Sequence, residues 1–169
     1  MVQKKLKKEA LMQIVKSITH GEAKKIIRFI ENLAKKDGDA PVAIAVFNAF
    51  DQQIAFLAMD GTLPISIDHI ATNKAHSSLT FSRDTIEWTN EKGGQKPAHF
   101  NLNTGDPRFT TFPGGVIIKI GGEILGSIGV SGRHGTRNDG GHYAKTLQDH
   151  ELADAGRKHY IVLNNADAR

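Results

Sequence analysis

The sequence predicts an α+β domain, an antiparallel sheet with helices packed around it, on three observations. First, residues 113–132, PGGVIIKIGGEILGSIGVSG, hold two Val/Ile-rich runs, 116–120 and 124–130, around Gly121-Gly122-Glu123. Apolar β-branched runs separated by a glycine pair read as the two strands of a hairpin. Second, another such pair occurs earlier, at 42–48 and 53–59, joined by a turn at 49–52. Third, the segments outside these pairs carry helical apolar spacing. Strands linked as hairpins, with helices before and after them, give a layered α+β arrangement and lack the alternation of a doubly wound fold.

The elements are taken in chain order. Leu6, Ala10, Leu11, Ile14, Val15 and Ile18 recur at helical spacing and predict a first amphipathic helix over 4–18. Thr19 and Glu22 have the form of a capping box opening a second helix. Its apolar face is Ala23, Ile26, Ile27, Ile30, Leu33 and Ala34, and Gly38 lies just past its end. After the first strand pair, Asp60-Gly61 signals a turn, and Pro64 precedes a helix N-cap at Ser66. A helix is predicted over 67–81, and a shorter one over 84–91 carries the single Trp. Residues 92–107 are polar and predict a surface loop, and 108–112 a short strand entering the Pro113-Gly114-Gly115 turn. Glycines 126 and 129 interrupt the last strand, where they weaken pairing and mark a close approach by another backbone or a ligand. Residues 133–141 are rich in Gly, Asn and Asp and predict a loop, and a final helix covers 143–159. The whole chain, 1–169, reads as one domain with a helical extension at 1–18 and a loop insertion at 133–147.

Composition narrows the function classes. With 39% hydrophobic and 24% charged residues, the chain is an ordinary globular one. No apolar run approaches the roughly 20 residues that span a bilayer, so no membrane role is expected. The absence of cysteine removes disulfides, thiolate metal sites and cysteine nucleophiles, and makes a cytoplasmic location the default. Much of the net charge of +4 comes from Lys4, Lys5, Lys7 and Lys8 on one predicted helix. Without interleaved aromatics, that cluster reads as a solvated face and no nucleic-acid partner is expected.

Ala43 to Val46, the Met59-Asp60-Gly61-Thr62 turn, Ser66, Lys74-Ala75, Phe81 and Thr85 open an ordered series of motifs. Pro113-Gly114-Gly115, GSIGVSG at 126–132 and DHELADAG at 149–156 complete it. Together they resemble the GlcG/HbpS-like haem-degrading, or haem-binding, family, which includes the C-terminal domain of some PduO proteins. The resemblance covers about 19–156. It implies a profilin-like fold with a five-stranded antiparallel sheet, assembly as a homo-oligomer, and, in some members, binding of haem or iron. Two departures stand out: Ala58 replaces an Arg that usually precedes Met-Asp-Gly, and the segment after Ser131-Gly132 is some ten residues longer than the family pattern.

Eight histidines supply possible metal donors. His69 and His76 are seven apart on one predicted helix and share a face, but lie about 10.5 Å apart along its axis, too far for one ion. His142 and His150 face the same obstacle on a continuous helix. His20 sits in the first turn of its helix, where the dipole favours an imidazole free to ligate. In the insertion, His134, Asp139 and His142 could converge because a loop can bring them together. His20 and His134 are therefore the candidate metal ligands. Lys74 either snorkels as a surface lysine or runs its stem across apolar helix surface into a pocket, where a buried ammonium needs an anion, either Asp60 or a ligand carboxylate. Asp60, Lys74, Gly114, Gly115, Ser131 and Arg133 form the expected ligand-binding set. Ser131 lacks the strand-to-helix context of a nucleophile elbow, and the glycine runs lack both the P-loop and the dinucleotide fingerprint. The leading expectation is a pocket protein for haem, a related tetrapyrrole or iron. The alternative is a haem-independent enzyme acting on a small anionic organic substrate, with His134, His142 or Tyr143 as its acid or base.

Overall fold

The computed structural model describes residues 15–88, 106–133 and 142–166; at 67, 68, 142–147, 165 and 166 it describes the backbone alone. Four strands, β1 (Ala43–Asn48), β2 (Gln53–Ala58), β3 (Gly115–Ile120) and β4 (Glu123–Ser131), form one antiparallel sheet in the order β2-β1-β4-β3. The two predicted hairpins are thus both present. They meet through β1 and β4, with Ile44 opposite Val130 and Val46 opposite Ile128.

The two faces of the sheet are chemically unlike, because strand side chains alternate. One face carries Ile44, Val46, Val116, Ile118, Ile128 and Val130. The helices α1 (His20–Asp37) and α3 (His142–Ala166) cover it with Ile26, Ile30, Leu152 and Tyr160. Removing each such aliphatic side chain from water stabilises the fold by about 1.5–3 kcal/mol. The opposite face carries Ala43 and Ala45, and α2 (Ala71–Thr80) lies on it through Ala71 and Ala75. Small residues let α2 sit almost on the strands: a methyl group at Gly129 would fall 1.9 Å from the carbonyl oxygen of Ala71. That contact is the close backbone approach signalled by the strand glycines.

The capping box of α1 is formed as the sequence predicts. Thr19 Oγ1 accepts from the Glu22 amide and Glu22 Oε2 accepts from the Thr19 amide at 2.8 Å, while Gly38 closes the helix in the left-handed region at φ 69°. Elsewhere the structure corrects the boundaries. Residues 15–18, read as the end of a first helix, are irregular, and Ile18 is buried with its amide bonded to Leu125 O at 3.0 Å; the rest of that helix lies outside the described residues. The segment read as one helix over 67–81 begins with a π-helical turn, Ser66–Ile70, ahead of α2. A π turn inserts one residue into the helical phase, which rotates the rest of the helix by about 100°. His69 is exposed and His76 is 5% exposed, so the two do not share an environment. The short helix is a 3-10 turn, Thr85–Trp88. Residues 108–112 are irregular, so the described sheet has four strands against the five that the resemblance implies. The final helix runs on to Ala166, since Tyr160 and Ile161 still pack into the core.

Candidate functional site

Five of the six residues expected to bind a ligand are described around the end of β4, close to a buried ion pair. Lys74 is 1% exposed and lies on α2, yet its ammonium bonds Asp149 Oδ2 of α3 at 2.7 Å and Val130 O at 2.9 Å. The side chain therefore passes around the end of the sheet, from one helical layer to the other. Gly114 leaves room for it: a methyl group there would fall 3.0 Å from Lys74 Cδ and 2.9 Å from Asp149 Cβ, and φ of +122° favours glycine in any case. Gly115 is pressed as closely, 2.2 Å from such a methyl to the Lys74 carbonyl oxygen. Burial pushes the Lys74 ammonium below the usual lysine range, against the opposing pull of Asp149.

The network continues outward. Asp149 Oδ1 accepts from the Arg133 amide at 3.0 Å, and the Arg133 guanidinium, itself 1% exposed, donates to both oxygens of Asp37 at 2.8 and 3.0 Å. Asp39 lies 3.4 Å from the same guanidinium. Ser131 Oγ donates to Ser66 Oγ at 3.2 Å, tying β4 to the π turn. Asp60 is exposed in the turn after β2; the buried partner of Lys74 is Asp149, not Asp60. Asp149 is 75 residues away in sequence, and no local spacing relates it to Lys74. Its presence in the DHELADAG segment was the one available signal.

This arrangement pairs Lys74 with Asp149 and Arg133 with Asp37 and Asp39, and it leaves Arg133 Nε buried without a hydrogen-bond partner. The nearby cleft, about 320 Å³, is lined by Leu33, Asp37, Asp39, Gln148, Glu151 and Leu152. No three His, Asp or Glu side chains among the described residues converge to hold a bare metal ion.

His20 offers a different geometry. It is exposed at the start of α1, and its Nδ1 lies 2.7 Å from Ile54 O. A carbonyl oxygen only accepts, so Nδ1 carries the proton, and the neutral ring presents the lone pair of Nε2 outward. Metal-bound histidines use the same device, with one nitrogen fixed by a carbonyl and the other free to ligate. His134 lies outside the described residues, as do the side chains of His142 and Tyr143. The helix is continuous between His142 and His150, which keeps those two apart along its axis.

A second polar pair was not anticipated. His76 Nδ1 meets the Asp51 carboxylate at 2.9 and 2.8 Å, and the ring stacks on Phe109 with centroids 5.2 Å apart. His76 Nε2 is buried without a hydrogen-bond partner, and Asp51 holds a left-handed backbone at φ 58°. The turn position of Asp51 was visible, but its contact with a helix 25 residues on was not.

Residues 18–158 match the family model described as haem degrading protein HbpS-like. An uncharacterised 15.0 kDa protein from the dhaT-dhaS intergenic region of Citrobacter freundii is 28% identical over 120 residues, covering 71% of this chain and 83% of its own. The crystal structure of Klebsiella pneumoniae protein ORFY superposes with a TM-score of 0.71 at 25% identity, covering 88% of this chain and 93% of that one. A crystal structure titled as a PduOC:heme complex superposes with a TM-score of 0.64 at 20% identity, over 83% and 94% of the two chains. With its resembling motifs, its sheet and nearly its whole described length matched, this chain belongs to the HbpS-like haem-degrading protein family.

Proposed function

We propose that this protein binds haem or a closely related tetrapyrrole, with His20 as the imidazole facing the metal. The observation that carries the reading is His20 itself: Nδ1 fixed by Ile54 O and the ring open to solvent. Family membership and the haem-bound structural neighbour support it. The donor set supports a macrocycle over a bare ion. A chelated iron needs only one further protein donor, whereas no three-ligand cluster exists among the described residues. A bound haem would supply an iron centre open to axial ligation. The chain's own part is to fix the imidazole tautomer and to keep the Lys74–Asp149 network rigid beneath the sheet.

Absorbance titration of the purified protein with haem tests this, alongside His20→Ala. The expected result is a saturable one-to-one Soret shift in the wild type that weakens at least tenfold in the variant. A non-saturating response in the wild type would remove haem binding. A saturable response unchanged in the variant would remove His20 as the ligand.

A further inference from the structure

We propose that His76 is a reactive imidazole, oriented by Asp51, whose Nε2 accepts the acyl group of small activated esters. The proposal is independent of haem. Two observations meet at this ring. The Asp51 carboxylate contacts Nδ1 through both oxygens, at 2.9 and 2.8 Å, and holds the proton on that nitrogen. The lone pair of the neutral ring is therefore on Nε2, and the carboxylate stabilises the positive charge that develops when Nε2 attacks. Nε2 is buried with no donor bonded to it, and such a group calls for an explanation.

The surroundings suit a small neutral electrophile. Phe109 lies parallel to the imidazole, and Phe81 packs against Phe109 with centroids 4.9 Å apart. The charged groups around the pair are Asp106 and Arg108, which are bonded to each other at 2.7 Å. Phe109 belongs to the irregular stretch before β3. Two contacts bind that stretch to α2, Thr110 N to Ser77 Oγ at 2.8 Å and Asn73 Nδ2 to Pro107 O at 3.4 Å.

The chemistry balances with water as the one further reactant. Nε2 attacks the ester carbonyl carbon and an N–C bond forms as the C–O bond breaks; its electron pair leaves with the alkoxide, and the ring becomes an acyl-imidazolium that keeps the Nδ1 proton. Water then cleaves the N–C bond, giving the carboxylic acid, the free ring and one proton, which the alkoxide takes up to become the alcohol.

The test is hydrolysis of p-nitrophenyl acetate by the full chain, with the acylated residue located by peptide mass spectrometry using diethyl pyrocarbonate. The expected result is that His76→Gln lowers ester hydrolysis at least tenfold, and that His76 is carbethoxylated as fast as exposed His69 despite its burial. Asp51→Asn should slow labelling of His76 by about tenfold while leaving His69 unchanged. If the wild-type protein labels at His69 and not at His76, or if His76→Gln hydrolyses the ester at the wild-type rate, the proposal is overturned. The wild-type labelling needs no variant to fold and decides the question by itself.

Discussion

Two buried side chains on one helix, Lys74 and His76, are each paired with an aspartate from a distant element, and their pairings differ in completeness. Lys74 bonds both a carboxylate and a carbonyl, and Asp149 in turn accepts the Arg133 amide. His76 has a carboxylate on one nitrogen and nothing on the other. A buried ammonium bonded to both a carboxylate and a carbonyl holds layers together. A buried base with one unsatisfied atom still has chemistry to offer. The first pair therefore belongs to the architecture and the second to a site, although both look alike as an acid and a base within bonding distance.

The sharpest way to break this contrast is Asp149→Ala. It leaves the Lys74 ammonium buried and unpaired, and breaking such a pair destabilises by about 3–5 kcal/mol. Denaturant unfolding should show that loss together with a weakened tie between α2 and α3. A loss under about 1 kcal/mol, the range of an exposed pair, would mean that Lys74 reaches water and that the sheet end is open, as an anion pocket requires. The Asp51→Asn change should be much milder. Asp51 is 37% exposed at its side chain, an ordinary hydrogen bond contributes about 0.5–1.5 kcal/mol, and asparagine tolerates the left-handed backbone. Should the two variants cost the same, the distinction between structural and reactive pairs would fail.

Local physics was legible in the sequence and distant pairing was not. The capping box at Thr19 and Glu22, the Gly121-Gly122 hairpin and the apolar face of α1 rest on residues within a few positions of one another, and each formed. For Lys74 the apolar helical neighbours allowed either burial or snorkelling, and the structure buries it. Its partner was not visible, because a side chain that threads past Gly114 to another layer leaves no periodic trace. The seven-residue spacing of His69 and His76 misled for a related reason: His69 lies inside the π turn, where the helical phase departs from the 3.6-residue period, and nothing in SIDHI announces it. The strand expected at 108–112 instead runs as irregular chain, with Phe109 stacked on the His76 ring and Thr110 bonded to Ser77.

A half-buried histidine on α3, His150, sharpens the comparison at its weak end. Its Nδ1 is buried without a hydrogen-bond partner, like His76 Nε2, but no carboxylate is bonded to its ring among the described residues. Burial lowers its pKa below 6.5, Asp84 and Asp154 pull it back, and Arg157 adds to the depression. A histidine depressed in the folded state stabilises the fold fully above the unfolded value and loses that contribution as pH falls. Between about 6.5 and the lower folded value, the unfolded chain takes up the proton first. Asp154 is also lowered, since Lys158 and Arg157 outweigh its burial, but its window lies below 3.8. Melting at about pH 7.5 and about pH 5.5, on either side of the unfolded histidine value, therefore leaves Asp154 out, and comparison with His150→Gln separates His150 from the other histidines. The wild type should lose more stability between these pH values than His150→Gln does, and by less than either aspartate substitution changes it. An equal loss in both proteins would show that His150 is as free to protonate when folded as when unfolded, and that an imidazole in this fold needs no carboxylate to be accommodated.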